Sequence, residues 1–181
     1  MILPSIRNAA RLLRALAIPL LIGTVAAQIP AFPGAQGFGA NATGGRGGDV
    51  YYVTNLNSSG TGSLRYGIEN APATGRTIVF AVSGYIPISY NSDTGNQTVR
   101  LVQNKITIAG QTAPGDGIGL KDGRILVTGD DSVIRHIRVR HGKYGGAGDC
   151  INIESTANKT MLDHLSLMFS TDENLSFFNS A

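Results

Sequence analysis

TMLDHLSLMFSTDENLS, residues 160–176, is the stretch whose reading decides the fold. Its apolar positions alternate, it carries the pair Asp163-His164, and an acidic pair, Asp172-Glu173, follows the alternation. It is also the last of a series. Ile78-Val79-Phe80, Ile106-Thr107-Ile108, Ile134-Arg135-His136 and Leu162-Asp163-His164 begin 28 residues apart each time, and Ile125 and Ile153 keep the same interval. A fixed period of about 20–50 residues marks a repeat architecture.

The runs inside each unit, such as RTIVFAVSG, KITIAG, RILVTG and CINIES, are short and rich in β-branched residues, with Gly, Asn, Asp and Ser between them. No unit holds the roughly 10–15 residues at helical period that a helical or leucine-rich repeat needs. The sequence therefore predicts an all-β chain, a right-handed parallel β-helix (solenoid) in which each strand pairs with its equivalent in the next coil. Ile106, Ile134 and Leu162 are expected to stack.

Parity along the last runs places Ile137, Val139, Leu165, Leu167 and Phe169 inside. Arg138 and Arg140 share the outer parity with His136, His164, Ser166 and Met168. Two neighbouring guanidiniums suit carboxylates, so Arg138 and Arg140 are candidate substrate-binding residues, with an ordinary solvated face as the plain alternative. The 28-residue register also stacks His164 on His136 as a structural ladder. Adjacent side chains on a strand point to opposite faces, so Asp163 and His164 are not expected to hydrogen-bond, and a Ser-His-Asp reading is set aside.

Residues 1–27 read as a secretory signal peptide: Arg7, Arg11 and Arg14 precede the apolar run Ala15–Ala26, and Val25-Ala26-Ala27 offers a small-residue cleavage site. Secretion follows, with no membrane attachment after cleavage. The chain has 15 Lys+Arg against 12 Asp+Glu, and removing those three arginines leaves 12 against 12. A neutral balance gives no reason to expect nucleic acid as a partner. Cys150 stands alone and is expected to be a small buried hydrophobe. Sequons at Asn41, Asn57, Asn96, Asn158 and Asn174 are glycosylation candidates.

After the leader, residues 28–181 form one β-helix domain, with an amino-terminal cap over about 28–75 and coils over about 76–181. The Gly-rich opening lacks both GxxxxGK[ST] and a GxGxxG between strand and helix, so it reads as tight turns over the solenoid end rather than a phosphate cradle. Leu64–Ala71, LRYGIENA, is the only candidate helix.

FPGAQGFGANATGGRGG, VYYVTNLNSSGTGSLR, RTIVFAVSG, ITIAGQTAPGDGI, VIRHIRVRHG, GDCINI and DHLSLMFSTDE follow one another in order over residues 31–178. Together they resemble the amino-terminal half of the pectate lyase superfamily, polysaccharide lyase family 1. The resemblance implies a secreted, monomeric enzyme that cleaves polygalacturonate by β-elimination: a base takes the C5 proton of a uronate and the bond to O4 breaks. It also implies Ca2+, bridging the adjacent carboxylate to the protein as a Lewis acid. Calcium takes six to eight oxygen ligands, so carboxylates should converge from consecutive coils.

Carried over by position, Asp149 in GAGDCIN and Asp172 match family ligands, while Ser176 and Ala147 stand where relatives carry further acids. Glu173 is the candidate substitute ligand, provided that the backbone bends between it and Asp172. Met168-Phe169 and Leu165 replace the Ser-Trp and Cys common in relatives. The family's catalytic base is an Arg from a later coil, and no residue here matches it, so the catalytic residue is unknown and the chain is expected to be an incomplete solenoid at its carboxyl end. Two alternatives stay open: a non-catalytic uronate-binding β-helix, and a glycoside hydrolase with paired carboxylates on a similar solenoid.

Overall fold

The computed structural model describes residues 28–88 and 97–178. The expected signal peptide and Asn96 of the third sequon lie outside them. Nearly all regular structure in the described residues is parallel strand, laid out in three sheets. The first sheet runs β1 (Asp49–Val53), β2 (Arg76–Phe80), β5 (Ile106–Ala109), β8 (Val133–Arg135), β11 (Met161–Asp163). The second runs β3 (Gly84–Pro87), β6 (Ile118–Lys121), β9 (Ile137–Arg140), β12 (Ser166–Met168). The third runs β4 (Thr98–Leu101), β7 (Arg124–Val127), β10 (Ile151–Ile153), β13 (Leu175–Phe177). From β2 onward each coil contributes one strand to each sheet, as a parallel β-helix requires, whereas β1 is followed by a helix and joins the first sheet alone.

The interior is a column of aliphatic side chains. Ile78, Ile108 and Ile134 of the first sheet, Leu120 and Val139 of the second, and Ile125 and Ile151 of the third are all essentially inaccessible. Burying one such side chain stabilises by roughly 1.5–3 kcal/mol, and stacking repeats the gain at each coil.

The register corrects the strict 28-residue stacking. Ile78 pairs with Ile108, Ile108 with Ile134, and Ile134 with Leu162, so Ile106 sits on Arg76 rather than under Ile134. Likewise Ile125 pairs with Ile151, not Ile153. The slips are of two residues, which keeps each side chain on its own face; Ile106 is as buried as Ile108. Turn lengths differ between coils and compensate, so the sequence shows only their mean.

Stacking also starts earlier than the expected boundary at residue 76: β1 already pairs with β2 from Asp49↔Arg76 to Val53↔Phe80. The helix forms as expected, as α1 (Leu64–Glu69). Ser63 caps it by accepting the Tyr66 N–H, and Leu64 and Ile68 turn inward over the first coils.

One local feature overturns part of the parity reading. SVIRHIRVRHG is not one strand: β8 and β9 meet at a single residue, His136, with φ +54°, and the equivalent His164 has φ +52°. A left-handed residue turns the chain between sheets and resets the alternation. Ile134 and Ile137, three apart, are therefore both buried, and Arg135 points outward. Ile137 and Val139 are interior and Leu165 and Leu167 pack against the core, but Phe169 is 63% exposed, at another positive φ, +66°. It lies past the end of β12, where strand parity no longer applies.

Candidate functional site

The third sheet delivers the acidic cluster. Gly145-Gly146-Ala147-Gly148 brings the chain into β10, and Asp149 stands two residues before that strand. Gly148 has φ +131°, a conformation that favours glycine, and a Cβ there would displace the Arg124 guanidinium, whose Nη1 would lie 2.4 Å away. Asp149 is 2% exposed and accepts three hydrogen bonds: from Asn152 Nδ2 (2.5 Å), from Ser176 Oγ, and from the Glu173 backbone N–H (2.9 Å). A carboxylate has about four acceptor positions, so roughly one stays open.

Asp172 and Glu173 come from the bend between β12 and β13. Because the bend is not strand, the two acids need not face apart, and oxygens of Asp149, Asp172 and Glu173 all lie within 4.8 Å of one another. The crowding shows in Glu173. Its own backbone N–H is the largest influence and lowers its pKa, but the Asp172 charge, the contact with Asp149 and slight desolvation together raise it above the ordinary value. All-oxygen donors with excess negative charge fit a hard cation such as calcium. Ser176, on β13, donates to Asp149.

Two residues of this neighbourhood escaped the sequence reading. Asn152 lies on the outer face of β10 and joins Asp149 to Ser176. Its signal was there: it is the one polar residue in CINI, three after Asp149. His141 is fully buried, and neither ring nitrogen has a partner among the described residues. Gly145 packs flat on its ring, where a Cβ would lie 2.7 Å away. Burial first, then the Arg124 charge, lowers its pKa, with the Gly142 backbone and the Asp149 charge opposing, so the imidazole is a neutral packing group. Cys150 is buried as expected, and burial pushes its thiol pKa up.

Arg138 and Arg140 lie on β9, in the second sheet rather than the third. Arg140 is engaged by the next coil, donating to Ser166 O (2.7 Å) and Ser166 Oγ (3.0 Å). The Arg138 guanidinium lies 5.0 Å from the Tyr85 ring centre and has no hydrogen bond among the described residues.

The histidine ladder forms: His136 and His164 stack at 4.6 Å with rings 15° from parallel. The expectation that Asp163 and His164 stay apart is wrong. His164 Nδ1 lies 2.8 Å from Asp163 Oδ1, because the left-handed corner at His164 swings its ring back over Asp163. Asp163 also accepts from Arg135 Nε at 2.6 Å. Desolvation is the largest single influence on Asp163 and raises its pKa, but hydrogen bonds and charge from Arg135 and His164 together hold it below the ordinary value. His136, Asp163 and His164 also bring three potential ligand atoms within 4.8 Å. Face-to-face rings aim their in-plane lone pairs side by side rather than at one ion, so the group reads as a structural stack.

The class that the fold and the site define is a parallel β-helix that gathers acids from successive coils on one flank. Its relatives carry a name. The chain is 45% identical over 173 residues to a probable pectate lyase C of Aspergillus fumigatus, covering 92% of this chain and 38% of that protein. It is 46% identical over 166 residues to that of Emericella nidulans (91% and 36%) and 47% identical over 149 residues to that of Aspergillus oryzae (81% and 32%). The chain thus spans under two-fifths of the curated relatives it matches. Among solved structures, Jun a 1, the major allergen from cedar pollen, superposes with a TM-score of 0.62 at 20% identity, covering 78% of this chain and 44% of that one. That likeness establishes the fold alone. No protein-family model matches the chain. The chain is a homologue of proteins named pectate lyase over nearly its whole length.

Proposed function

We propose that this protein is a secreted, pectate lyase-like β-helix protein that takes polygalacturonate as its substrate and, as part of the complete enzyme, supports its β-elimination. One observation carries the reading: Asp149, Asp172 and Glu173 converge on the third sheet of a chain about 45% identical to proteins named probable pectate lyase C. These three residues would hold calcium, which when bound supplies Lewis-acid stabilisation for negative charge on the substrate. Asp149 supplies a prepositioned carboxylate, because three donors fix its rotamer. Asp172 and Glu173 supply exposed oxygens that can turn toward a cation. Arg138, with no hydrogen bond among the described residues, remains the better placed of the two second-sheet arginines to meet a uronate, since Arg140 is committed to Ser166. No general base is assigned among the described residues. The leader-like composition of residues 1–27 supports secretion, and no helix among the described residues is long and apolar enough to cross a membrane.

A second reading, a uronate-binding β-helix without catalysis, draws on Ser176. A hydroxyl there lowers the charge of the cluster and occupies one Asp149 position. One assay separates the readings. The protein is incubated with polygalacturonate and calcium, and ultraviolet absorbance of an unsaturated product is followed. Product that vanishes with a chelator supports elimination. Calcium-dependent retention on the polymer without product selects the binding protein. New reducing ends without unsaturation select a hydrolase and overturn the proposal.

A further inference from the structure

His141 takes no part in the acidic cluster, yet it is fully buried, and neither ring nitrogen has a partner among the described residues. Buried polar atoms without partners are rare in folded proteins. Burial and the Arg124 charge also oppose protonation, so the ring has no charge to offer. What it offers is a flat surface. A Cβ on Gly145 would lie 2.7 Å from Cε1, 2.8 Å from Nδ1 and 2.8 Å from Nε2. Three nearly equal distances put Gly145 over the ring face rather than at its edge. Three residues on, the Arg124 guanidinium fills the place of a side chain at Gly148, and Arg124 Nε donates to Thr98 Oγ1 at 3.1 Å. The loop 145–148 thus rests on two supports before the chain reaches Asp149.

The same loop is tied to the next coil. Gly148 N–H donates to Thr171 Oγ1 (2.9 Å), Thr171 N–H to Gly148 O (3.2 Å) and Thr171 Oγ1 to Gly146 O (3.3 Å). Thr171 directly precedes Asp172 and Glu173. One loop therefore governs both halves of the acidic cluster: it runs into Asp149, and through Thr171 it holds the bend that carries the other two acids. We propose that His141 is a positioning residue for the cation site, its ring a plate beneath Gly145 that sets the height of the loop and hence the spacing of the three carboxylates. The inference rests on the cation reading above and deepens it. His141 acts through the loop, not on the ion. Close-packed contacts transmit displacement, and calcium holds its oxygens within about 2.3–2.6 Å, so a small shift of the loop is felt at the ion. A plate needs a flat face and no hydrogen bond, which accounts for the two idle nitrogens.

The test is a double-mutant cycle on terbium affinity, read by luminescence, with His141→Ala, Gly145→Ala and the two combined. Gly145 keeps a negative φ, so the added methyl meets the ring and not a backbone prohibition. Urea unfolding without metal verifies that each variant is folded under the assay conditions. A merely structural role would move that unfolding midpoint and leave the terbium affinity of the folded protein alone. Each single variant is expected to bind terbium about tenfold more weakly, the low end for groups that support metal ligands. The double variant should also be about tenfold weaker, because the methyl enters the space the ring has left. Hydrogen exchange at 143–148 should quicken in His141→Ala. Wild-type protein that takes up no terbium overturns the cation reading and this inference with it. Terbium binding that neither single variant weakens overturns the plate and leaves the cation reading standing. Losses that multiply to roughly a hundredfold in the double variant make the two residues independent and overturn the plate. A fold lost in His141→Ala moves the cycle to His141→Leu, which keeps the bulk without the flat face; if that fold is lost too, unchanged affinity in Gly145→Ala overturns the inference.

Discussion

Glu173 lies in a chain bend and Asp163 ends a strand beside one, yet their surroundings push the two carboxylates in opposite directions. Glu173 is exposed and its pKa is raised: its backbone N–H lowers it, but Asp172 and Asp149 outweigh that. A cation binds only the ionised form, so calcium affinity should fall as pH drops through this raised value. In Asp172→Asn the fall should shift to lower pH, because the largest raising influence is gone. Calcium titrations across pH 4 to about 7 check this, and an unshifted profile would contradict it. Asp163 is the reverse case, held low by Arg135 and His164 against desolvation. A depressed carboxylate contributes stability above its unfolded pKa, near 3.9, and that contribution is lost as pH falls through the lower folded value. Asp163→Asn should cost roughly 1–3 kcal/mol at neutral pH, because it leaves Arg135, 3.6 Å from the Phe32 ring centre, without its charged partner. The gap between wild type and variant, measured by urea unfolding, should narrow as pH falls below the unfolded pKa, near 3.9.

Strands and corners follow different rules, and the sequence spoke clearly only about the first. Branched aliphatic residues at β2, β5, β8 and β11 made the ladder legible, yet its steps are 30, 26 and 28 residues, which average to the visible period. A slip of two leaves the apolar pattern unchanged, so no pattern argument could detect it. The acids Asp149 and Asp172 were legible by motif position, and Glu173 was legible on the condition of a bend that the structure supplies. The corners were not legible. A left-handed histidine is uncommon, and nothing in IRHIRV distinguishes one bent unit from one long strand. The same gap hid the Asp163–His164 contact, which exists only because of the corner. Two element-scale outcomes follow. Ile134→Ala should cost roughly 2–5 kcal/mol, since Ile134 is enclosed by Ile108 and Leu162 on adjacent coils. His136→Val should destabilise more than His136→Gly, because a β-branched residue resists positive φ and glycine does not. Both are read as midpoint shifts in denaturant, and equal shifts for Val and Gly would refute the corner argument.

On the scale of the molecule, the coils tie the cation site to global stability. Asp149 sits at the entry to β10, while Asp172 and Glu173 lie between β12 and β13, so a bound ion would pin consecutive coils together. The unfolded chain has no such convergence, so binding to the native state alone stabilises by about 1.4 kcal/mol at ten times Kd. Calcium should therefore raise the melting temperature in a concentration-dependent way, and a chelator should reverse the rise. Asp172→Asn is the discriminating variant. Its side chain makes no hydrogen bond among the described residues, whereas Asp149 is held by three donors whose loss would itself weaken the fold. Without calcium, Asp172→Asn should melt at or slightly above wild type, because it removes a charge that crowds Glu173. With calcium, most of the stabilisation should disappear. A calcium-induced rise that Asp172→Asn keeps in full would place the ion elsewhere, and Asp172 and Glu173 would then be solvated bend residues beside a buried, hydrogen-bonded Asp149.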